Sequence, residues 1–316
     1  MTNQDITSIP NALLSRYTTF QLGGACRELI ECPHPDALIK TTADLSNRNI
    51  PFVLIGGGSN LVVSDQGLDC VVIRYVTKTP IIKLEGGNLS VSGSTSLDDL
   101  ALYCVEEGLN GLTFTSGIPG TVGGAVIGNA GAWGKQVGDI LESAVILNKN
   151  GDIKTVGPDY FAFAYRHSRL KETGEIVLEA NFSLSDGDPI SLAQERANIL
   201  RQREEKHPNL STHPCAGSFF RNVEPTSKAE RRQAAGWFLE QAGGKELKSG
   251  GAEIFDKHAN IIIKGKNCKA QDVYDLHLKM IDAVNKKFNF TLQREVRFAG
   301  PFKTRNDQIN PHKIFF

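Results

Sequence analysis

Apolar positions in this chain fall into helical stripes and short strand-sized runs, punctuated by glycine. Leu38, Ile39, Thr42 and Leu45 recur on one face, which predicts a helix over 35–49 opened by Pro35. Phe52-Val53-Leu54-Ile55 has the length and branching of a buried strand and stops at Gly56-Gly57-Gly58-Ser59-Asn60. Strands are expected again at Leu61-Val62-Val63, Val71-Val72-Ile73 and 88–93. Ser96 then reads as the cap of a helix with Asp98 and Asp99 in its first turn. Leu97, Leu100, Ala101, Cys104 and Val105 form its apolar face, and Gly108 ends it.

A second glycine-dense segment runs from Gly117 through Gly124 and on to Gly128, Gly131 and Gly134. Val145-Ile146-Leu147 and Ile153-Lys154-Thr155-Val156 flank Asn150-Gly151, a strong hairpin signal. Ile176-Val177-Leu178 predicts another strand, and the polar turn 185–189 predicts a domain boundary. Beyond it the pattern predicts a charged helix over 191–206, a helix over 227–242, strands at 252–255 and 259–264, a helix over 269–288 and a strand over 290–298. The division expected is 1–76 and 77–188 as two subdomains, 189–300 as a further domain, and 301–316 as a tail.

Composition narrows the function. The chain has 316 residues, enough for two or three domains. Lys+Arg and Asp+Glu are both 35, so the net charge is zero and no basic stripe suggests nucleic acid as a partner. No apolar run is long enough to cross a bilayer, and the polar start lacks the layout of a signal peptide. Six cysteines without a CxxC pair read as reduced thiols, so a cytoplasmic protein is expected. The seven histidines form no ligand pattern, and no metal is expected.

The clustered glycines carry the candidate chemistry. Glycine lets main-chain amides approach a ligand closely, and phosphate is the usual reason. The dinucleotide fingerprint of a strand-turn-helix does not apply, because Gly56–Gly58 run into another strand. Two readings stay open on these residues alone. One is a phosphate cradle made by amides with Ser59 and Asn60; the other is a pair of tight turns using positive φ.

Both segments resemble a known family. Gly56-Gly57-Gly58-Ser59-Asn60, Gly117-Ile118-Pro119-Gly120-Thr121-Val122-Gly123-Gly124 and Asn129-Ala130-Gly131-Ala132-Trp133-Gly134 are similar to the flavin domain of UDP-N-acetylenolpyruvoylglucosamine reductases. Tyr165-Arg166-His167-Ser168-Arg169-Leu170-Lys171, Ala216-Gly217-Ser218-Phe219-Phe220-Arg221-Asn222, Ala235-Gly236-Trp237, Gly250-Gly251-Ala252, Lys257-His258-Ala259-Asn260 and Glu295-Val296-Arg297 follow in the family's order. The resemblance spans roughly residues 15–300. It departs at Cys215 (Ser expected), Val223 (Pro expected) and Leu292-Gln293-Arg294 (often Leu-Glu-Pro). No extra tyrosine-bearing loop is present, so the chain is similar to the family's shorter structural type.

The resemblance implies an α+β fold. Two subdomains would form an FAD-binding domain of the vanillyl-alcohol-oxidase (PCMH) type, followed by an α+β substrate domain. It implies reduction of an enol-ether double bond by NADPH through non-covalent FAD, acting on a UDP-sugar as a monomer. The FAD residues carried over are Gly56, Gly57, Gly58, Ser59, Asn60, Leu61, Gly117, Ile118, Pro119, Gly120, Thr121, Gly123, Gly124, Asn129, Ala130 and Gly131.

Ser218 matches the family's proton donor, although by spacing alone it is a serine in a tight turn beside two phenylalanines. Arg166 matches the active-site arginine, whose fork suits a carboxylate. Glu295 matches the active-site glutamate, which fits there protonated or bonded to Arg166 or Arg297. Asn222, Lys245, His258 and Arg297 fall on or beside substrate-binding motifs, and Tyr165 is expected to hydrogen-bond substrate or nicotinamide, or simply to pack. Read without the family, Lys245 is a helix-end charge and His258 a structural hydrogen-bonding residue.

Overall fold

The computed structural model describes residues 6–85, 88–224 and 231–303. Three sheets organise the chain. The first has the order Thr7–Pro10, Cys26–Cys32, Leu68–Tyr75, Phe52–Ile55. Its outer pair is antiparallel, and the other two pairings are parallel. Helix Pro35–Asn47 makes the crossover between Cys26–Cys32 and Phe52–Ile55 and buries Leu38 and Leu45. The strand Cys26–Cys32 was not anticipated, because Arg27, Glu28 and Glu31 interrupt its apolar positions. Glu31 is paired across the sheet with Arg74 at 2.6 Å.

The second sheet is antiparallel, in the order Ile153–Val156, Leu141–Leu147, Ile176–Phe182, Asn88–Ser92, Ile82–Glu85. The expected Asn150-Gly151 hairpin is present, with Gly151 at φ 88°. Helix Leu97–Glu106 and a short helix Val122–Gly128 pack on this sheet through Leu100, Cys104, Val122 and Val126. Leu147, Ile176 and Leu178 also join Leu54, Ile73 and Tyr75, so the first two sheets share a core.

The third sheet is antiparallel, Cys215–Ser218, Ile261–Lys264, Ala252–Ile254, Lys248–Ser249, covered by helix Ala270–Phe288. Val273, Leu276, Met280 and Val284 fill that interface, as the helical stripe predicts. Phe20, Leu22 and Val62 belong to the same core, which fastens the front of the chain to its back. Arg297–Ala299 returns to pair in parallel with Leu61–Val63.

The structure corrects two elements. The helix expected over 227–242 is Ala235–Gln241, and residues 225–230 lie outside the described residues. Arg231–Ala234 is not helical, because Gln233 bridges to Val223. The strand expected over 290–298 is only Arg297–Ala299, since Arg294 makes an isolated bridge to Phe220. Helix Pro189–Lys206 packs on helix Leu97–Glu106, where Arg196 grips Asp98 at 2.7 and 3.0 Å. Of the tail, Phe302 is buried and stacks on Tyr274, and residues 304–316 lie outside the described residues.

Candidate active site

A cavity of about 450 Å³ opens where the three sheets meet, within the usual range for small-molecule sites of about 300–1,000 Å³. Its wall combines Gly56, Gly57, Gly58, Ser59, Asn60 and Leu61 with Ile118, Pro119, Gly120, Thr121, Gly123 and Gly124. Ala130 and Gly131 complete this bare stretch. The two loops face each other: a Cβ on Gly57 would come within 3.2 Å of Gly120 Cα, and one on Gly120 within 3.0 Å of Ser59 Oγ. Position 58 requires glycine on two counts: its φ is 63°, and a Cβ there would strike the Tyr17 carbonyl.

The second loop ends in a helix that its glycines hide from sequence reading. Thr121 caps Val122–Gly128 by accepting a hydrogen bond from Gly124 N–H at 3.3 Å. Gly123 sits where a Cβ would approach the Gly93 carbonyl at 3.1 Å, so the helix lies close against the neighbouring chain.

Two expected cofactor residues stand behind the wall. Gly117 gives its N–H to Asp98 at 2.7 Å. Burial raises the Asp98 carboxyl, but its Arg196 and Gly117 hydrogen bonds outweigh this and hold it below the usual range. Asn129 is fully buried, donating to Gln136 and to the Ala164 carbonyl and accepting from Gly138 N–H. Neither lines the cavity; both brace the loop that does.

Arg166, Ser218, Glu295 and Arg297 all line the same cavity. Arg166 Nε lies 3.1 Å from Glu295 Oε1. The N–H does not point along that line, so this buried nitrogen forms an ion pair without a hydrogen bond. Ser218 ends a strand that reaches it through Gly217, at φ 73°. The following residues are fixed by Asn260, whose side chain accepts from Phe220 N–H at 2.9 Å and donates to Phe220 O at 2.8 Å. Glu295 N–H donates to Phe219 O at 2.9 Å, which locks the glutamate segment beside the serine segment.

The remaining expected substrate residues lie off the wall. The Tyr165 hydroxyl accepts from Asn222 N–H at 3.3 Å, and Arg232 stacks over the Tyr165 ring at 4.2 Å. Lys245 pairs with Glu240 at 2.6 Å. His258 accepts from Asn260 N–H and sits behind His207, ring centroids 5.7 Å apart.

Sequence reading missed Lys171, Arg203, His207, Tyr75 and Trp133, which also line the cavity. Arg203 and His207 come from the charged helix Pro189–Lys206 and the residue after it, where nothing in the pattern marks them. Burial first, then Arg203, His258 and Lys206, hold the His207 imidazole down at about 4. Lys171 and Trp133 fall within the Tyr165–Lys171 and Asn129–Gly134 motifs, so their positions were signalled and their roles were not.

The electrostatics of the cavity are one-sided. Arg166, Lys171, Arg203 and Arg297 face a single carboxylate, Glu295. Such a wall suits anions. Aliphatic side chains from Leu54, Ile55, Leu97, Ile118, Ile127, Ile176 and Val177 supply the apolar part. Bare amides, cations and an apolar floor fit a flavin dinucleotide. Gly128 also lines the cavity, and a Cβ there would meet nothing within 4 Å, so the wall is open at that point.

Comparisons with known proteins agree with this chemistry. The family model described as "FAD binding domain" matches residues 27–157, and "UDP-N-acetylenolpyruvoylglucosamine reductase, C-terminal domain" matches 207–299. A UDP-N-acetylenolpyruvoylglucosamine reductase of Caldicellulosiruptor bescii is 35% identical, over 96% of this chain and 94% of that protein. One from Anoxybacillus flavithermus is 36% identical, over 92% and 93%. The crystal structure of the Thermus caldophilus reductase superposes with a TM-score of 0.75 at 29% identity, covering 93% of this chain and 98% of that one. With relatives of this identity along nearly its whole length, the chain belongs to the UDP-N-acetylenolpyruvoylglucosamine reductase family.

Proposed function

We propose that this protein reduces the enolpyruvyl double bond of UDP-N-acetylenolpyruvoylglucosamine with NADPH, giving UDP-N-acetylmuramate for peptidoglycan synthesis. The observation that carries the reading is one cavity lined by both glycine loops together with Arg166, Ser218 and Glu295. When bound, FAD supplies the redox chemistry, taking hydride from NADPH and returning it to the double bond. The main chain of Gly56–Asn60 and Gly120–Gly124 would hold its diphosphate.

The chain's own residues handle charge and protons. Hydride addition at one alkene carbon leaves negative charge on the neighbouring carbon, spread onto the carboxylate. Arg166 meets that carboxylate, with Glu295 holding the guanidinium in place. Ser218 Oγ–H gives the proton that completes the new C–H bond. A serine hydroxyl is a weak acid in water, so the surrounding cations must stabilise the alkoxide left behind. Arg297 helps to hold the substrate. Tyr165, Asn222, Lys245 and His258 act from outside the wall, on the sugar-nucleotide end or through their neighbours. Gly117 and Asn129 serve the cofactor by shaping its loop. The enzyme works as a monomer in the cytoplasm, a reducing compartment that its free, mostly buried cysteines favour. No helix among the described residues is long and apolar enough to cross a membrane.

The test is the visible spectrum under anaerobic conditions. Purified protein is expected to be yellow and to bleach with NADPH. The enolpyruvyl sugar nucleotide then restores the oxidised spectrum. Flavin that stays reduced after that addition overturns the reading.

A further inference from the structure

Arg166 adopts a backbone conformation that arginine disfavours. Its φ is +54°, in the left-handed region, and it forms a two-residue turn with Tyr165 between the bridged residues Ala164 and His167. Holding a non-glycine residue there is strained, and the surroundings must supply the compensation. The bridge closes the turn through Ala164 N–H to His167 O at 3.1 Å and His167 N–H to Ala164 O at 3.0 Å. Those bonds leave the Arg166 carbonyl to another donor. Lys171, on the short helix Leu170–Thr173, directs its ammonium at that carbonyl oxygen at 2.6 Å.

We propose that Lys171 is a positioning residue: its hydrogen bond to the Arg166 carbonyl holds the Tyr165–Arg166 turn in the left-handed form that keeps the guanidinium against Glu295. The inference rests on the functional reading above only in taking Arg166 as the group that meets the substrate carboxylate.

The surroundings argue that this lysine is held for a purpose beyond surface charge. It is half-buried and lines the cavity with Arg166, Glu295 and Arg297. Burial first, then the Arg221 and Arg297 guanidinium groups, lower its ammonium to about 8; Glu295 opposes this shift and Arg166 adds to it. On its own element, Glu172 lies 3.5 Å from His167. A lysine among three arginines with one carboxylate is an unfavourable arrangement unless a specific acceptor rewards it, and the Arg166 carbonyl is that acceptor. Only the ammonium form donates with a charge, so the grip weakens as pH rises through the lysine's own titration.

Three variants test this. Lys171→Met should lower kcat about tenfold to a hundredfold, the scale expected when a catalytic group shifts by about 1 Å. Its crystal structure should show residue 166 out of the left-handed region. Lys171→Arg, charged at every working pH, should recover most of the activity and move the alkaline limb of kcat upward. Lys171→Gln, a neutral donor, should fall between them with that limb absent. Lys171→Met retaining kcat within threefold overturns the proposal. So does a Lys171→Arg profile whose alkaline limb matches wild type, and this second reading remains if the methionine variant does not fold. Wild-type reduced flavin that ignores the enolpyruvyl sugar would instead sink the assigned function, and the crystallographic readout on residue 166 would still decide the role of Lys171.

Discussion

The side-chain amide of Asn60 donates to the main-chain carbonyl of Glu295 at 3.2 Å, and the Asn60 carbonyl accepts from Arg297 N–H at 3.0 Å. A residue of the first glycine loop therefore sets the position of the glutamate segment 235 residues later. Asn60→Ala should cost about 1 kcal/mol from the lost hydrogen bond. Because the same bond joins the two walls of the cavity, the variant should also release FAD faster during dilution. Stability with full flavin retention after gel filtration would mean the link is not needed for the cavity.

Ser218→Ala should separate the two half-reactions. NADPH should bleach the flavin at the wild-type rate, while reoxidation by the enolpyruvyl sugar slows about 10²- to 10⁴-fold, the usual range for loss of a general acid. Stopped-flow absorbance reads both steps. Equal slowing of both would assign Ser218 to folding or to flavin placement.

Two glycines should respond in opposite ways. Gly58→Ala places a Cβ 2.3 Å from the Tyr17 carbonyl at φ 63°, so it should destabilise by at least about 1–2 kcal/mol. Gly128→Ala meets no atom within 4 Å, so the melting temperature of the flavin-free protein should change little. Its added methyl should still lower FAD affinity, because Gly128 borders the cavity. Thermal melts with fluorescence titration of FAD distinguish the two.

His277 predicts acid sensitivity. It is buried between Phe219, Tyr274 and Phe298. Burial depresses its pKa from 6.5 to about 4. Below pH 6.5 the unfolded chain protonates this imidazole while the fold holds it neutral, so stability falls as pH drops from 6.5 towards 4. Replacement by Gln should flatten that part of the curve by up to about 1.4 kcal/mol per pH unit, measured by denaturant unfolding at several pH values. An unchanged slope would show that other groups carry the acid response.

The glycine loops, the Asn150-Gly151 hairpin and the long helix Ala270–Phe288 were legible because local signals specify them: positive φ, turn chemistry and a helical stripe. Helix Val122–Gly128 was not, since its three glycines argue against helix formation. Tertiary contact decides there, because Gly123 lies against the Gly93 carbonyl. Arg203 and His207 were invisible for a related reason. A charged helix gives no sign of which cations turn inward until helix Leu97–Glu106 is packed against it. Arg166, Ser218 and Glu295 were found through motifs, but their meeting in one cavity depends on long-range pairings such as Glu295 N–H to Phe219 O.

The parallel pairing of Arg297–Ala299 with Leu61–Val63 has a consequence for synthesis on the ribosome. The strand that leads out of the first glycine loop waits for its neighbour until Arg297–Ala299 has been translated. Nascent chains stalled before Arg297 should therefore hold a half-built nucleotide cradle, with an unpaired strand edge open to other chains. Newly made enzyme would then capture its flavin only once that late strand has docked, as a closing event in maturation.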